Sequence, residues 1–227
     1  CRVIEYPGGN AMLIGVGENL GLNPAQQYEF RVFVSPVGPY YKDAGLAVIS
    51  LAVSEMDRAA PAGTGSFKAG ANYAGGLLAT LKAKELGANE ALYLDSAEHR
   101  YIDEAGSANI VIAMKDGSFI TPSSNAILPS ITRRSLMHLA GKQLSMKTEE
   151  RPIDLRKEFA QFEEVAAGGT AAVLSPVGKI WFDKKWHTVC QDGQTVGPIM
   201  QEMYDLLVGI QKGELADNFN WLHEVEI

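Results

Sequence analysis

The chain has 227 residues, 46% of them apolar and 21% charged, which is enough to bury a sizeable core and unlike a disordered polymer. Its 27 acidic against 20 basic residues give a net charge of −7, and no basic block exceeds a pair such as Arg133-Arg134 or Lys184-Lys185. That argues against a nucleic-acid partner, because phosphate binding needs clustered positive charge.

Cys1 and Cys190 make no disulfide framework, and His99, His138, His187 and His223 stand alone, so no metal site is expected. Apolar runs such as 45–53 are strand-length and too short to span a bilayer. The first residues show no basic stretch ahead of an apolar one, and a cytoplasmic protein without membrane partners is the expectation.

In chain order, Pro7-Gly8-Gly9-Asn10 and Asn23-Pro24 mark turns around the short apolar run 11–14, predicting loop with one strand there. Residues 28–35 (YEFRVFVS) alternate apolar and polar as a strand does, and Pro36-Val37-Gly38-Pro39 stops them. The near-continuous apolar run 45–53 predicts a strand covered on both faces. A Gly-rich turn at 62–70 leads into a helix over 73–86, where Leu77, Leu78, Leu81 and Ala83 give an apolar face and Gly87 a stop. A short strand follows at 91–94. Lys115-Asp116-Gly117 between 109–114 and 118–121 is a hairpin signal. Residues 132–144 predict a helix capped by Ser130 or Thr132, and 154–162 another. Strands are expected at 170–175 and 180–182, and a helix at 198–212 with Ile199, Met203, Leu206, Leu207 and Ile210 on one face. The pattern is mixed α and β around one core.

Two motifs imitate nucleotide sites. Gly15-Val16-Gly17-Glu18-Asn19-Leu20-Gly21 follows Met12-Leu13-Ile14, but Pro24 and the Gly/Asn content oppose the helix a dinucleotide turn requires. Gly63-Thr64-Gly65-Ser66-Phe67-Lys68 lacks the Gly before and the Ser or Thr after the lysine that a phosphate loop needs. What remains is one lysine in a run of small residues, with no acid between Asp57 and Glu85. The bland alternative is a surface lysine on a loop. Against it, small residues let backbone approach a flat ligand closely, and an amine partly stripped of water loses its proton readily enough to attack a carbonyl.

The segment GTGSFKAGANYAGGLLA resembles the Schiff-base lysine segment of the branched-chain amino acid aminotransferases. Further blocks are similar to the same family in the same order: VSPVGPYY (34–41), DRAAPAGTG (57–65), YLD (93–95), DEAGSANI (103–110), ILPSITRRSL (127–136), GGTAAVLSPVG (168–178) and VGPIMQEMYDLLVGIQKGE (196–214). The resemblance runs from about residue 12 to the end of the sequence.

It implies the class IV aminotransferase fold (D-amino acid aminotransferase-like, fold type IV), mainly its large C-terminal domain, and pyridoxal phosphate as cofactor. Residues 1–36 would be a remnant of the small N-terminal domain, 37–47 the interdomain loop and 48–227 the large cofactor-binding domain. Lys68 would form the Schiff base and carry the proton, and Tyr73 would donate to the cofactor's phenolic oxygen. Glu104 would face the pyridine nitrogen, Leu128 would pack on the ring, and Ser107 would bridge hydrogen bonds behind it. The backbone N–H groups of Ile131 and Thr132 would hold the phosphate, a role that helix N-termini fill on physical grounds alone. Thr170 and Ala171 would receive the substrate carboxylate, Thr170 lying near the phosphate too, and Tyr40 would close over the substrate's aliphatic side chain.

The implied reaction is transamination of leucine, isoleucine and valine with 2-oxoglutarate, in a homodimer. Alternatives within the fold are a D-amino acid aminotransferase or an aminodeoxychorismate lyase, and outside catalysis a cofactor-binding fragment. The sequence departs from the family in three places. The stretch ahead of Met12 lacks the usual aromatic-x-Arg-Pro, and the small domain that supplies a phosphate arginine and one pocket wall is expected to be missing, leaving the site incomplete. Ala172-Val173-Leu174-Ser175 also stands where some animal members carry Cys-x-x-Cys.

Overall fold

A computed structural model describes residues 7–36, 46–189 and 192–224. The chain divides into a small unit, residues 1–42 with 224–227, and a large one, residues 43–223. In the small unit, strands β1 (Pro7–Val16) and β2 (Gln27–Pro36) pair antiparallel in unbroken register, from Pro7 opposite Pro36 to Val16 opposite Gln27. The alternating pattern of β2 is legible in the sequence. β1 outruns its short apolar stretch because β2 offers a hydrogen-bonding partner along its whole length, which overrides the weak strand preference of its glycines.

The large unit contains strands β3 (Ile49–Val53), β4 (Glu90–Leu94), β5 (Ile102–Ala105), β6 (Ala108–Met114), β7 (Phe119–Pro122), β8 (Thr148–Arg151), β9 (Phe162–Gly169), β10 (Val173–Phe182) and β11 (Lys185–Thr188). Its helices are α1 (Gly70–Glu85), α2 (Ile131–Lys142), α3 (Leu155–Glu158) and α4 (Pro198–Lys212). The strands form one sheet in the order β11-β10-β3-β4-β5-β6-β7-β8, with β9 joining β10 and β6. That junction closes β10, β3, β4, β5, β6 and β9 into a ring. In it Asn109 of β6 lies opposite both Glu104 of β5 and Gly168 of β9, so residues far apart in sequence meet at one place.

Local chemistry accounts for most elements. Around the β6–β7 turn, Gly117 adopts φ +84 and the Asp116 carboxylate accepts from the backbone N–H and hydroxyl of Ser118, as its Asp-Gly signal predicted. The expected strands at 170–175 and 180–182 are instead one strand, β10, preceded by a turn at 170–172. Pro176 and Gly178 broke the pattern in the sequence, and the structure absorbs them as a register irregularity against β3 between Val177 and Lys179. The helix expected over 154–162 is formed as α3, capped by Asp154, and a following 3-10 turn over Phe159–Gln161, and it ends where Phe162 onward is taken up by the edges of β6 and β10.

α2 and α4 cover one side of the sheet. Leu136, Leu139 and Ala140 of α2 join Met200, Met203, Leu207 and Ile210 of α4 over Val111, Phe119, Ala166 and Leu174. Met203, Leu207 and Ile210 of the predicted α4 face are buried, with Ile199 and Leu206 partly buried at its edge and Met200 added to it, and the helix ends at Gly213 in the left-handed conformation.

α1 reverses the usual amphipathic logic. It packs on β3 and β4 through Ala79 and Ala83, joined by Ala52, Ala88, Ala91 and Tyr93, while Leu77, Leu78 and Leu81 are 67%, 50% and 57% exposed. Only Ala83 of its predicted apolar face is buried. Small side chains let the helix approach the sheet closely: a Cβ on Gly76 would lie 3.0 Å from the Tyr93 hydroxyl oxygen.

α4 has Gly197 at its N-cap and no side-chain cap of its own. The cap comes from β9. Glu164, 5% exposed, accepts from the N–H groups of Ile199 at 3.0 Å and Met200 at 2.8 Å, and a Cβ on Gly197 would lie 2.1 Å from its carboxyl carbon. Replacing Glu164 by Ala should therefore lower stability by about 2 kcal/mol, seen as a reduced urea midpoint at unchanged slope. An unchanged midpoint would show that water caps the helix equally well.

Candidate active site

The lysine loop is held by its own side chains. Asn72, buried in the first turn of α1, donates from Nδ2 to the carbonyls of Thr64 at 2.7 Å and Phe67 at 3.0 Å, and accepts from the Thr64 hydroxyl at 2.9 Å. Gly65 passes so close to the loop before α2 that a Cβ would lie 2.7 Å from Ala126 Cα, and from the Ala60 carbonyl oxygen too. On this fixed loop Lys68 Nζ donates to the Tyr73 hydroxyl at 3.1 Å and sits 4.8 Å from the centre of its ring. Lys68 is exposed, so its small neighbours do not bury it. They give the backbone its close approach and leave the amine open to a ligand.

Glu104 is the opposite case. It lies on β5 at 2% exposure, with Oε1 accepting from Asn109 Nδ2 at 2.6 Å and the Leu128 N–H at 2.8 Å, and Oε2 2.9 Å from Arg58 Nε. Burial pushes its carboxyl up from the usual 4.5 to about 7, while Arg58 and the two N–H donors pull against that rise and neighbouring Asp103 adds to it. The alternative of a surface acid is thus removed by its surroundings, and burial raises the Asp103 carboxyl as well.

Leu128 is half-buried, and its N–H leads from Glu104 directly toward α2. At the start of that helix the Ser130 hydroxyl accepts from the Arg133 N–H, and the Ser130 carbonyl from the Arg134 N–H. The N–H groups of Ile131 and Thr132 find no acceptor among the described residues, which leaves an anion cradle. Arg133 anchors this end of α2 by donating to the Pro122 carbonyl at 3.2 Å and to Glu150 at 2.7 Å. Thr170 and Ala171 form the exposed turn between β9 and β10, just beyond Gly168, which lies opposite Asn109. Val173, which closes that turn, has φ 59, a costly conformation for a β-branched residue. Ser107 sits on the exposed β5–β6 turn after Gly106, φ +55, and its hydroxyl makes no hydrogen bond among the described residues. Tyr40 lies outside the described residues.

Three residues that organise this region lie within the family-like segments but have no role assigned by the sequence. Arg58 reads as a surface charge beside Asp57, Asn72 as a poor helix former, and Asn109 as the edge of an apolar strand. Each matters through a contact that only the ring of strands or the folded loop creates.

A model of amino-transferase class IV matches residues 8–180. The chain belongs to the class IV aminotransferases. It is 45% identical over 220 residues to the branched-chain-amino-acid aminotransferase of Haemophilus influenzae, covering 94% of this chain and 63% of that one. The Helicobacter pylori protein of the same name is 45% identical over 217 residues, covering 94% and 62%. Among solved structures, the branched-chain amino acid aminotransferase of Escherichia coli superposes with TM-score 0.77 at 31% identity, over 92% of this chain and 66% of that one. The Thermobaculum terrenum enzyme in its PLP-form gives TM-score 0.73 at 25% identity, over 90% and 63%. The chain thus spans less than two thirds of these relatives' length.

The fold is that of the fold type IV enzymes, here mainly the large domain. Class IV aminotransferases depend on pyridoxal phosphate, and the residues present fit it: an open amine beside a phenol, a buried carboxylate, and a helix N-terminus with unbonded N–H groups.

The buried carboxylate makes a pH-dependent contribution to folding. Because the folded chain holds the Glu104 proton more tightly than an unfolded one, this contribution is whole below about pH 4.5 and is lost as pH rises through about 7. Relative to Glu104→Gln, the parent chain should lose on the order of 3 kcal/mol across that window, measured by urea unfolding at either end. A stability difference independent of pH would contradict it.

Proposed function

We propose that the chain carries the cofactor site of a branched-chain aminotransferase, which moves the amino group of leucine, isoleucine or valine to 2-oxoglutarate and yields the branched-chain 2-oxo acid and glutamate. The names of the relatives support the substrate class. The observation that carries the reading is Lys68 Nζ, 3.1 Å from the Tyr73 hydroxyl on a loop that Arg58 ties to the buried Glu104.

Pyridoxal phosphate, when bound, supplies an aldehyde for amines to condense with and a pyridine ring that accepts electrons. The chain's residues supply the rest. Lys68 Nζ would take a proton from the substrate Cα and deliver it to the cofactor's C4′, with the Tyr73 hydroxyl fixing the amine's position and donating to the phenolic oxygen. Glu104 would hold a proton at the ring nitrogen, and Leu128 would pack on the ring face. The N–H groups of Ile131 and Thr132 would grip the phosphate. Thr170, also near the phosphate, and Ala171 would present the β9–β10 turn to the substrate carboxylate. Ser107 would add a hydrogen bond behind the ring, and Tyr40 would shield the aliphatic side chain.

The same reading assigns residues 1–36 to a remnant of a small domain, 37–47 to an interdomain loop and 48–227 to the large domain. It also places the protein in the cytoplasm as a homodimer. The location carries over the expectation from the sequence, and the dimer is supported by the outward leucines of α1. Leu78→Glu should shift the chain toward monomer in light scattering, while an unchanged mass would remove that face from the interface.

Borohydride reduction of the chain with pyridoxal phosphate should attach the cofactor to Lys68, located by peptide mass spectrometry, and Lys68→Ala should abolish it. The same adduct on the Ala variant would refute the assignment. Amino-donor profiling with 2-oxoglutarate should favour leucine, isoleucine and valine, and preference for a D-amino acid would move the chain to another branch of the fold.

A further inference from the structure

Arg58 stands ahead of Lys68 in the sequence and has no role in the reading above, yet it is as heavily engaged as Glu104 itself. Its side chain is 4% exposed. Nη2 donates to the Gly65 carbonyl at 3.1 Å and to the Ala126 carbonyl, and Nε lies 2.9 Å from Glu104 Oε2. The Nε–H is not aligned as a hydrogen bond, so this last contact is chiefly an ion pair. One guanidinium therefore joins the lysine loop, the loop before α2 and the buried carboxylate.

We propose that Arg58 is a positioning residue of the site, whose fixed charge favours the ionised form of Glu104 and holds it aimed, while its other arm locks the lysine loop to the strand that bears that carboxylate. The inference rests on the cofactor reading above. A carboxylate that is to hold a proton at a ring nitrogen must itself be an acceptor. At this burial an isolated carboxyl would keep its own proton and offer a donor instead.

The charged groups facing Glu104 are Arg58 and Asp103, with the N–H groups of Asn109 and Leu128 completing its surroundings. Asp103 repels the charge, so Arg58 is the one cation among these partners that favours it. Arginine suits the task because it stays protonated and its planar fork reaches several acceptors, where a lysine offers one point of charge. Gly65 completes the arrangement, since any side chain there would press into Ala126 and push apart the two carbonyls that Arg58 bridges.

The test reads Glu104 itself. With glutamate carboxyl carbons labelled, its NMR signal is assigned by its loss in Glu104→Gln and titrated in the chain without added cofactor. The parent midpoint should lie near about 7, and Arg58→Met should raise it by roughly 1 to 3 pH units. Arg58→Lys should fall between the two, restoring charge without the bridge. A folded Arg58→Met chain whose Glu104 midpoint stays within a few tenths of a unit of the parent overturns the proposal, since a purely structural arginine would change stability alone. Should Arg58→Met not fold, as circular dichroism would report, Arg58→Lys and the parent decide. A Glu104 still protonated well above pH 8 in the parent overturns it too. Absence of Lys68 trapping in a parent whose Glu104 responds to Arg58 would refute the cofactor reading and leave the coupling standing.

Discussion

A carboxylate removed from water loses several kcal/mol of hydration that its surroundings must replace, and the residues around Glu104 are arranged by that requirement. One oxygen is met by an amide from the paired strand and a backbone N–H from the segment entering α2, the other by a guanidinium from the segment entering the lysine loop. Each partner belongs to a different part of the chain. Satisfying one buried charge therefore fixes the relative positions of the loop that presents the amine and the helix that presents unbonded N–H groups.

The closed ring of strands makes this possible. β9 bridges β6 and β10, which places Gly168 opposite Asn109 and so brings the 170–171 turn to the same end as Glu104. Where the chain packs most closely it uses glycine: Gly65 against the Ala126 backbone, Gly197 against the Glu164 carboxylate. The Glu164 cap repeats the logic of Glu104 on the other flank, with a buried carboxylate from a strand satisfied by the N–H groups of a helix start. Here the N–H donors of α4 are consumed by the protein, whereas those of Ile131 and Thr132 in α2 are left over. That contrast separates a helix start that serves stability from one available to an anion.

Elements with strong local signals were legible in the sequence: β2 by alternation, β3 by its apolar run, the Asp116-Gly117 hairpin, and α2 with its Ser130 cap. The strands that were not legible, β5, β8, β9 and β11, are short, charged or both, and become strands only because neighbours offer open edges. The same distinction holds at the site. Lys68, on the loop ahead of α1, and Tyr73, in its first turn, are close in sequence, and their family segment announces them. Glu104 was reached by resemblance alone, since nothing local tells a buried carboxylate from the acid beside it, and Arg58 was not reached at all.

α1 shows how far burial can part from hydrophobicity. A helix that carries Tyr73 in its first turn and follows directly on the Lys68 loop must lie close to β3 and β4 if the amine is to share a site with Glu104, and close approach is a property of glycine and alanine, not leucine. The inward face is therefore chosen for thinness, with Gly76 against the Tyr93 hydroxyl, and the bulk of the helix turns outward in Leu77, Leu78 and Leu81. An apolar moment read from the sequence assumes that the larger side chains seek the core of their own chain. Where the spacing between helix and sheet is set by a site, the small residues win the interior and the large ones are left to meet something else.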